Sequence, residues 1–250
     1  MRTTGGSGVS SRAARKHGRC CWVEPQAILD NGRTRCYDKA NVHLIVCHAC
    51  SSKDLNSEKF VQRHHFRPAR KEDCVTIAAL YSVASAGLAD YFWTNIAEPE
   101  EDILTVGRRR FESDDSVFSY WNCTVVESEG KAVGMLFAFP MRTHSSGEES
   151  DPVLVPYRKL REDNSYYICG MALSPEYRGH GIGTRLLTLA EKHARDKGFE
   201  KVSLMVFEQN AGAKRLYDRV GYREVSREPV YPHPLIHYTG DAILMVKEIE

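Results

Sequence analysis

Residues 178–184, Arg-Gly-His-Gly-Ile-Gly-Thr, set three glycines at alternate positions behind an arginine and ahead of a helix-like run. Where a strand enters a glycine-rich turn and then a helix, free backbone N–H groups meet the positive end of the helix. Such a place suits a compact anion, and glycine lets the backbone come close to it. Two nucleotide-binding patterns fail on register. GxGxxG from Gly179 needs glycine where Thr184 stands, and from Gly181 needs it where Leu186 stands. A Walker A loop needs a Gly-Lys-Ser/Thr ending, and this stretch has no lysine. A plain flexible turn accounts for one or two glycines, but not for three of them together with Arg178.

The elements that position these residues begin near His65. "HFRPARKED" reads as a strand closed by Pro68, and the segment running to Leu88 as a helix with Ile77, Leu80, Tyr81 and Ala84 on one face. "YWNCTVVESEGKAVGMLFAFP" reads as a hairpin turning at Ser128–Lys131, with Pro140 ending its second strand. "SYYICGMAL" is the nearly unbroken apolar run of a buried strand. In the helix after the glycines, Leu186, Leu187, Ala190 and Ala194 form a stripe, and Gly198 sits just past the end. "KVSLMVF" is a further strand. Asn210 is a good N-cap for a helix carrying Ala213, Leu216, Tyr217 and Val220 on one face. "YREV" and "AILMVKEI" are the final strands. This alternation implies an α/β layered fold.

The loop and its surroundings resemble the GNAT acetyltransferases. Their acyl-CoA signature, Gln/Arg-x-x-Gly-x-Gly/Ala, is met by Arg178 to Gly183, and "ALSPEYRG" resembles the strand ending before it. "NAGAKRLYDRVGY" is similar to the family's second block, Asn-x-x-Ala, a tyrosine, then Gly-aromatic. The resemblance covers about residues 65–250. It implies a mixed central sheet of six to seven strands with helices on both faces, and acetyl-CoA as co-substrate. It further implies that Met171, Ala172 and Leu173 pair through their backbone with the pantetheine arm. The loop residues Arg178, Gly179, His180, Gly181, Ile182, Gly183 and Thr184 would surround the pyrophosphate, and Asn210 would touch the cofactor. Tyr217 would protonate the departing CoA thiolate, although it lies on an apolar helix face where it serves equally as core.

The pattern departs from the family at the general base. Where relatives carry glutamate, this chain has Tyr167 on one strand and Met205 on the next, which leaves Glu208, His233, His237 or a relayed water. "ADYFWTN", Glu98 to Asp102, and Glu148, Glu149 and Asp151 offer an acidic rim that would steer a cationic amine, or that simply solvates the surface. The reading is therefore an N-acetyltransferase that moves an acetyl group directly to a primary amine, with no metal. The alternative is a CoA-binding module of the same fold that is catalytically weak or inactive.

Residues 1–64 read as an irregular N-terminal extension, and 65–250 as the transferase domain. "MRTTGGSGVSSRAARKHGR" is basic, Gly/Ser-rich and free of acids, as a transit peptide or a tail would be. It lacks the apolar core of a secretory signal. Cys47 and Cys50 have the spacing of one zinc knuckle, but no second pair is found after them, so free thiols are expected. "NVHLIVC" is a short strand candidate. A net charge of +1 gives no electrostatic case for nucleic acid or a membrane surface. No apolar run approaches the ~20 residues of a membrane span. A cytoplasmic protein is expected, and a homodimer is compatible with the sequence.

Overall fold

The computed structural model describes residues 64–142 and 149–250, together with two short strands, β1 (Ile28–Asp30) and β2 (Arg33–Arg35), that pair antiparallel. The chain divides into two compact units, residues 1–53 and 54–250. The cysteine pair at 47 and 50, the strand candidate "NVHLIVC", the basic N-terminal tail and Glu148 lie outside the described residues.

The apolar runs of the second unit become seven strands: β3 (His64–Pro68), β4 (Cys123–Ser128), β5 (Lys131–Met141), β6 (Ser165–Leu173), β7 (Lys201–Phe207), β8 (Arg223–Pro229) and β9 (Asp241–Glu248). They lie in the order β3-β4-β5-β6-β7-β9-β8. Neighbours are antiparallel except β6 and β7, which run parallel. The β4–β5 hairpin turns on Glu129 and Gly130, both at positive φ (51° and 74°), the geometry whose twist suits a two-residue turn.

Helices α1 (Cys74–Ala84), α2 (Leu88–Ile96) and α3 (Ile103–Glu112) share one core with the sheet. In it Ile77, Tyr81, Trp93, Val106 and Phe111 pack on Val125, Met135 and Phe137. Gly107 lets α3 close on α2, because a Cβ there would meet the Trp93 ring at 2.6 Å. The short α4 (Val155–Lys159) precedes β6. Helices α5 (Ile182–Asp196) and α6 (Ala211–Arg219) pack through a second core, where Leu186, Leu187, Ala190 and Ala194 meet Leu136, Tyr166, Ile168 and Leu204. Helices therefore cover both faces, as the sequence implied.

Three readings need correction. The helix expected to run to Leu88 stops at Ala84, and Ala86 and Gly87, both at positive φ, turn the chain into α2. The sequence reading assigns no helix between Leu88 and the hairpin: "ADYFWTN" lies in α2, and α3 comes after it, with Asp102 accepting from the Thr105 amide at its start. Pro140 does not end β5; it pairs with Tyr166 inside the strand. Its missing N–H costs little there, because β4 begins opposite Phe137 and leaves that side of β5 unladdered.

Candidate active site

The parallel ladder between β6 and β7 holds only three pairs: Tyr166–Val202, Tyr167–Ser203 and Ile168–Leu204. Both strands continue, β6 to Leu173 and β7 to Phe207, without pairing to each other. The physical cause sits in the next residue. On the β5 side, Ala138 pairs with Ile168 and Phe137 with Gly170, so Cys169 is an extra residue, a bulge. A bulge bends its strand and adds twist, and this one acts where β6 leaves β7. It also breaks the in–out alternation. Cys169 packs against the α1–α3 core, and a Cβ on its neighbour Gly170 would meet the Tyr81 ring at 2.9 Å on that same side. Met171 and Leu173 pack against the opposite core.

The gap leads toward the glycine loop. Gly179 and Gly181 have φ of 80° and 76°, and a Cβ on either would meet nothing within 4 Å. Their glycines answer to backbone conformation and to open space beside the chain. Helix α5 starts directly after Gly181, and its first satisfied turn amide is that of Arg185, onto the Gly181 carbonyl. The amides of Ile182, Gly183 and Thr184 thus have no helix acceptor, and a pyrophosphate fits that vacancy in hydrogen bonding. Gly183 does a different job. A Cβ there would lie 3.2 Å from Leu216 Cδ2, so this glycine seats the first turn of α5 against α6. Arg178 turns back, its Nε donating to the Leu173 carbonyl at 2.9 Å, and fixes the end of β6 to the loop. Arg178 and His180 are both exposed, and Ala172 and Ile182 are buried.

Tyr217 lies on the buried face of α6, 8% exposed, with its ring 6.0 Å from that of Tyr222. Burial pushes its phenol up to about 12, so it keeps its proton at neutral pH. The hydroxyls of Tyr157 and Tyr222 are sealed without partners; that of Tyr217 is not. Asn210 caps α6, its Oδ1 accepting from the Ala213 amide at 3.2 Å.

At the positions where relatives carry a base, Tyr167 is held neutral by burial, and Met205 packs into a third cluster with Phe207 and Leu244. Glu208 pairs with Arg227 at 3.4 Å. His233 Nδ1 accepts from the Leu235 amide at 3.2 Å, which places its neutral proton on Nε2, and its ring packs edge-on to Tyr91 at 4.6 Å. The His237 amide ties the β8–β9 loop to the Ala86 carbonyl. The acids of the expected rim are largely engaged. Glu101 pairs with Arg109, Asp102 caps α3, Glu149 faces Arg158, and Asp151 accepts from the Tyr91 hydroxyl at 2.7 Å. Sequence reasoning missed the Cys169 bulge and the Tyr81 hydroxyl that lies 3.2 Å from its sulfur. The only trace of either was the small Cys-Gly pair inside "SYYICGMAL".

Residues 87–222, more than half of the chain, match the model of the acetyltransferase (GNAT) family. The chain belongs to the GNAT family. By family it is an acetyl-CoA-dependent N-acetyltransferase. It is 25% identical over 175 residues to an uncharacterized N-acetyltransferase of Methanocaldococcus jannaschii, covering 70% of this chain and 67% of that one. It is also 25% identical over 171 residues to a mycothiol acetyltransferase of Thermobispora bispora, covering 68% of this chain and spanning about half (49%) of that relative. The fold matches that of yncA from Salmonella typhimurium, solved with its cofactor acetyl-CoA, at a TM-score of 0.52 and 17% identity, over 75% of this chain and 95% of that one. No helix among the described residues is long and apolar enough to cross a membrane.

Proposed function

We propose that this GNAT protein carries an acetyl group from acetyl-CoA directly to a primary amine, using the β6–β7 gap and the loop after it. One observation carries the reading: the ladder stops at Ile168–Leu204, and the gap beyond it leads to a helix start with unsatisfied amides. In this reading the pantetheine arm lies along Met171, Ala172 and Leu173. The amides from Gly179 to Thr184, flanked by Arg178 and His180, hold the pyrophosphate, and Asn210 adds a contact beside its capping role.

The amine nitrogen attacks the thioester carbonyl. The C–N bond forms, the C–S bond breaks, and the amine gives up its proton to water. The thiolate takes a proton from Tyr217, which solvent then restores. The phenol is protonated at neutral pH, as an acid must be when the thiolate leaves, and burial, by raising its pKa, makes it a weaker donor than a free phenol. Tyr167 and Met205 favour a water relay over a side-chain base, and they also keep open a second reading, a CoA-binding module with weak catalysis. We assign the chemistry to residues 65–250 and give residues 1–64 no part in it. A cytoplasmic location and a homodimer complete the proposal.

Incubating the protein with acetyl-CoA and a panel of primary amines, read by free-thiol release, tests it. Amine-dependent release supports the enzyme; binding of acetyl-CoA without release on any amine favours the module.

A further inference from the structure

Helix α3 carries three consecutive arginines in its second half, and two have ordinary partners: Arg108 faces Glu112 at 3.7 Å and Arg109 faces Glu101 at 3.2 Å. Arg110 differs. It is half-buried, and its guanidinium lies over the rings of Phe92 (4.5 Å) and Phe118 (5.1 Å). Among the described residues its side chain has no hydrogen bond and no ion pair. Stacking fixes the plane of an arginine and leaves its edge donors free, the arrangement that receives a planar anion in two parallel hydrogen bonds. Leaving a partly desolvated fork unmatched has a cost that a bound carboxylate would remove.

The surroundings say where such an anion would sit. Phe118 lies 6.0 Å from Tyr81 and 6.2 Å from Phe139, and Phe139 lies 5.7 Å from Tyr167. The Tyr81 hydroxyl reaches Cys169 at 3.2 Å, at the bulge where the gap opens. Arg110 therefore stands at the rim of the β6 face that carries Tyr167 and Cys169. Arg110 acts electrostatically on Tyr81, and Arg161 on Tyr167 and Cys169, each pulling down against the upward push of burial. Arg161 is likewise half-buried and unpaired among the described residues. A cationic chamber disfavours an ammonium group and so raises the share of free amine, easing the lack of a side-chain base.

We propose that the acceptor is an amine that also bears a carboxylate, and that Arg110 binds that carboxylate. This rests on the acetyl-transfer reading above. The test uses the full chain, saturating acetyl-CoA and matched pairs of amines: phenylalanine against phenethylamine, and alanine against ethylamine. The carboxylate-bearing member should be used at least tenfold better by kcat/KM. Arg110→Met should cut that preference about 10- to 100-fold, the scale of a charged hydrogen bond. Calorimetry should show unchanged acetyl-CoA affinity. If thermal melting shows Arg110→Met unfolded, Arg110→Lys carries the test, since it keeps the charge without the fork and should lose a smaller part of the preference. Preference for the members without a carboxylate, an unchanged ratio in a folded variant, or no turnover of either amino acid while acetyl-CoA binds would each overturn the proposal and leave the cofactor site standing. Failure of the wild-type protein to bind acetyl-CoA would overturn both.

Discussion

Ile168 lies opposite Leu204 as the last pair of the parallel ladder, and Cys169, the next residue, is the bulge that turns β6 aside. Central strands of one sheet normally stay paired, because an unpaired backbone group away from water is costly. Here the unpaired edges of residues 169–173 and 205–207 face a gap that leads to the start of α5. An extended ligand with amide groups, ending in a diphosphate, would satisfy both.

Gly181 gives the first prediction. Its φ of 76° and its open surroundings mean that a methyl group there meets no clash. Gly181→Ala should cost about 1–2 kcal/mol through backbone strain alone, read by chemical denaturation. Gly181→Glu should add a carboxylate beside the diphosphate and abolish acetyl-CoA binding in calorimetry while the protein stays folded. Unchanged affinity in Gly181→Glu would remove the loop from the site.

Tyr217→Phe keeps the ring and removes the proton. The turnover rate should fall about 10²- to 10⁴-fold with acetyl-CoA affinity little changed. Tyr217→Ala should instead lower stability by about 3 kcal/mol or more, because the ring is buried. The pH profile carries the sign. Burial raises the phenols of Tyr157, Tyr166 and Tyr217 to about 12, above the ~10 of the unfolded chain. Their contribution to stability is intact below pH ~10 and is lost as pH rises toward 12. The part of the phenolate absorbance that belongs to these three buried rings should therefore rise together with alkaline unfolding rather than ahead of it.

Arg67 anchors β3 to its neighbours in space. It donates to both oxygens of Asp73 (2.7 and 2.9 Å) and through Nε to Glu127 (2.5 Å), tying β3 to the turn before α1 and to β4. Burial pushes the Asp73 carboxyl up, but the Arg67 hydrogen bonds and the Arg70 amide outweigh it and hold it below the usual range. A lowered folded pKa stabilises above the unfolded value of ~3.9 and is lost as pH falls through the folded one. Arg67→Met should cost about 3 kcal/mol near neutral pH, with a smaller acid-induced loss below pH ~4, read by denaturation at several pH values.

Much of this was legible in the sequence because local signals and tertiary demands agreed. "SYYICGMAL" and "KVSLMVF" became β6 and β7 with the expected ends, and Asn210 caps the helix it was read to cap. Legibility failed where a long-range contact decides. Gly87 turns the chain between α1 and α2 because a Cβ there would lie 1.7 Å from the Leu235 carbonyl oxygen, a neighbour about 150 residues away. The bulge at Cys169 depends on register with β5, which no window along β6 contains. Gly183 matches the loop motif, yet its neighbour is Leu216 on another helix. Nothing along the sequence sets Arg110 apart from Arg108 and Arg109; the fold does, by bringing Phe92 and Phe118 to it.

Amide hydrogen exchange with and without saturating acetyl-CoA tests the central claim most directly. If the arm lies in the gap between β6 and β7, amides of residues 169–173 and 179–184 should slow on binding, since their open edge and the α5 start gain acceptors. The ladder at Tyr166–Ile168, already paired, should change little. Protection confined to other parts of the chain, with residues 169–173 and 179–184 exchanging as before, would contradict the account.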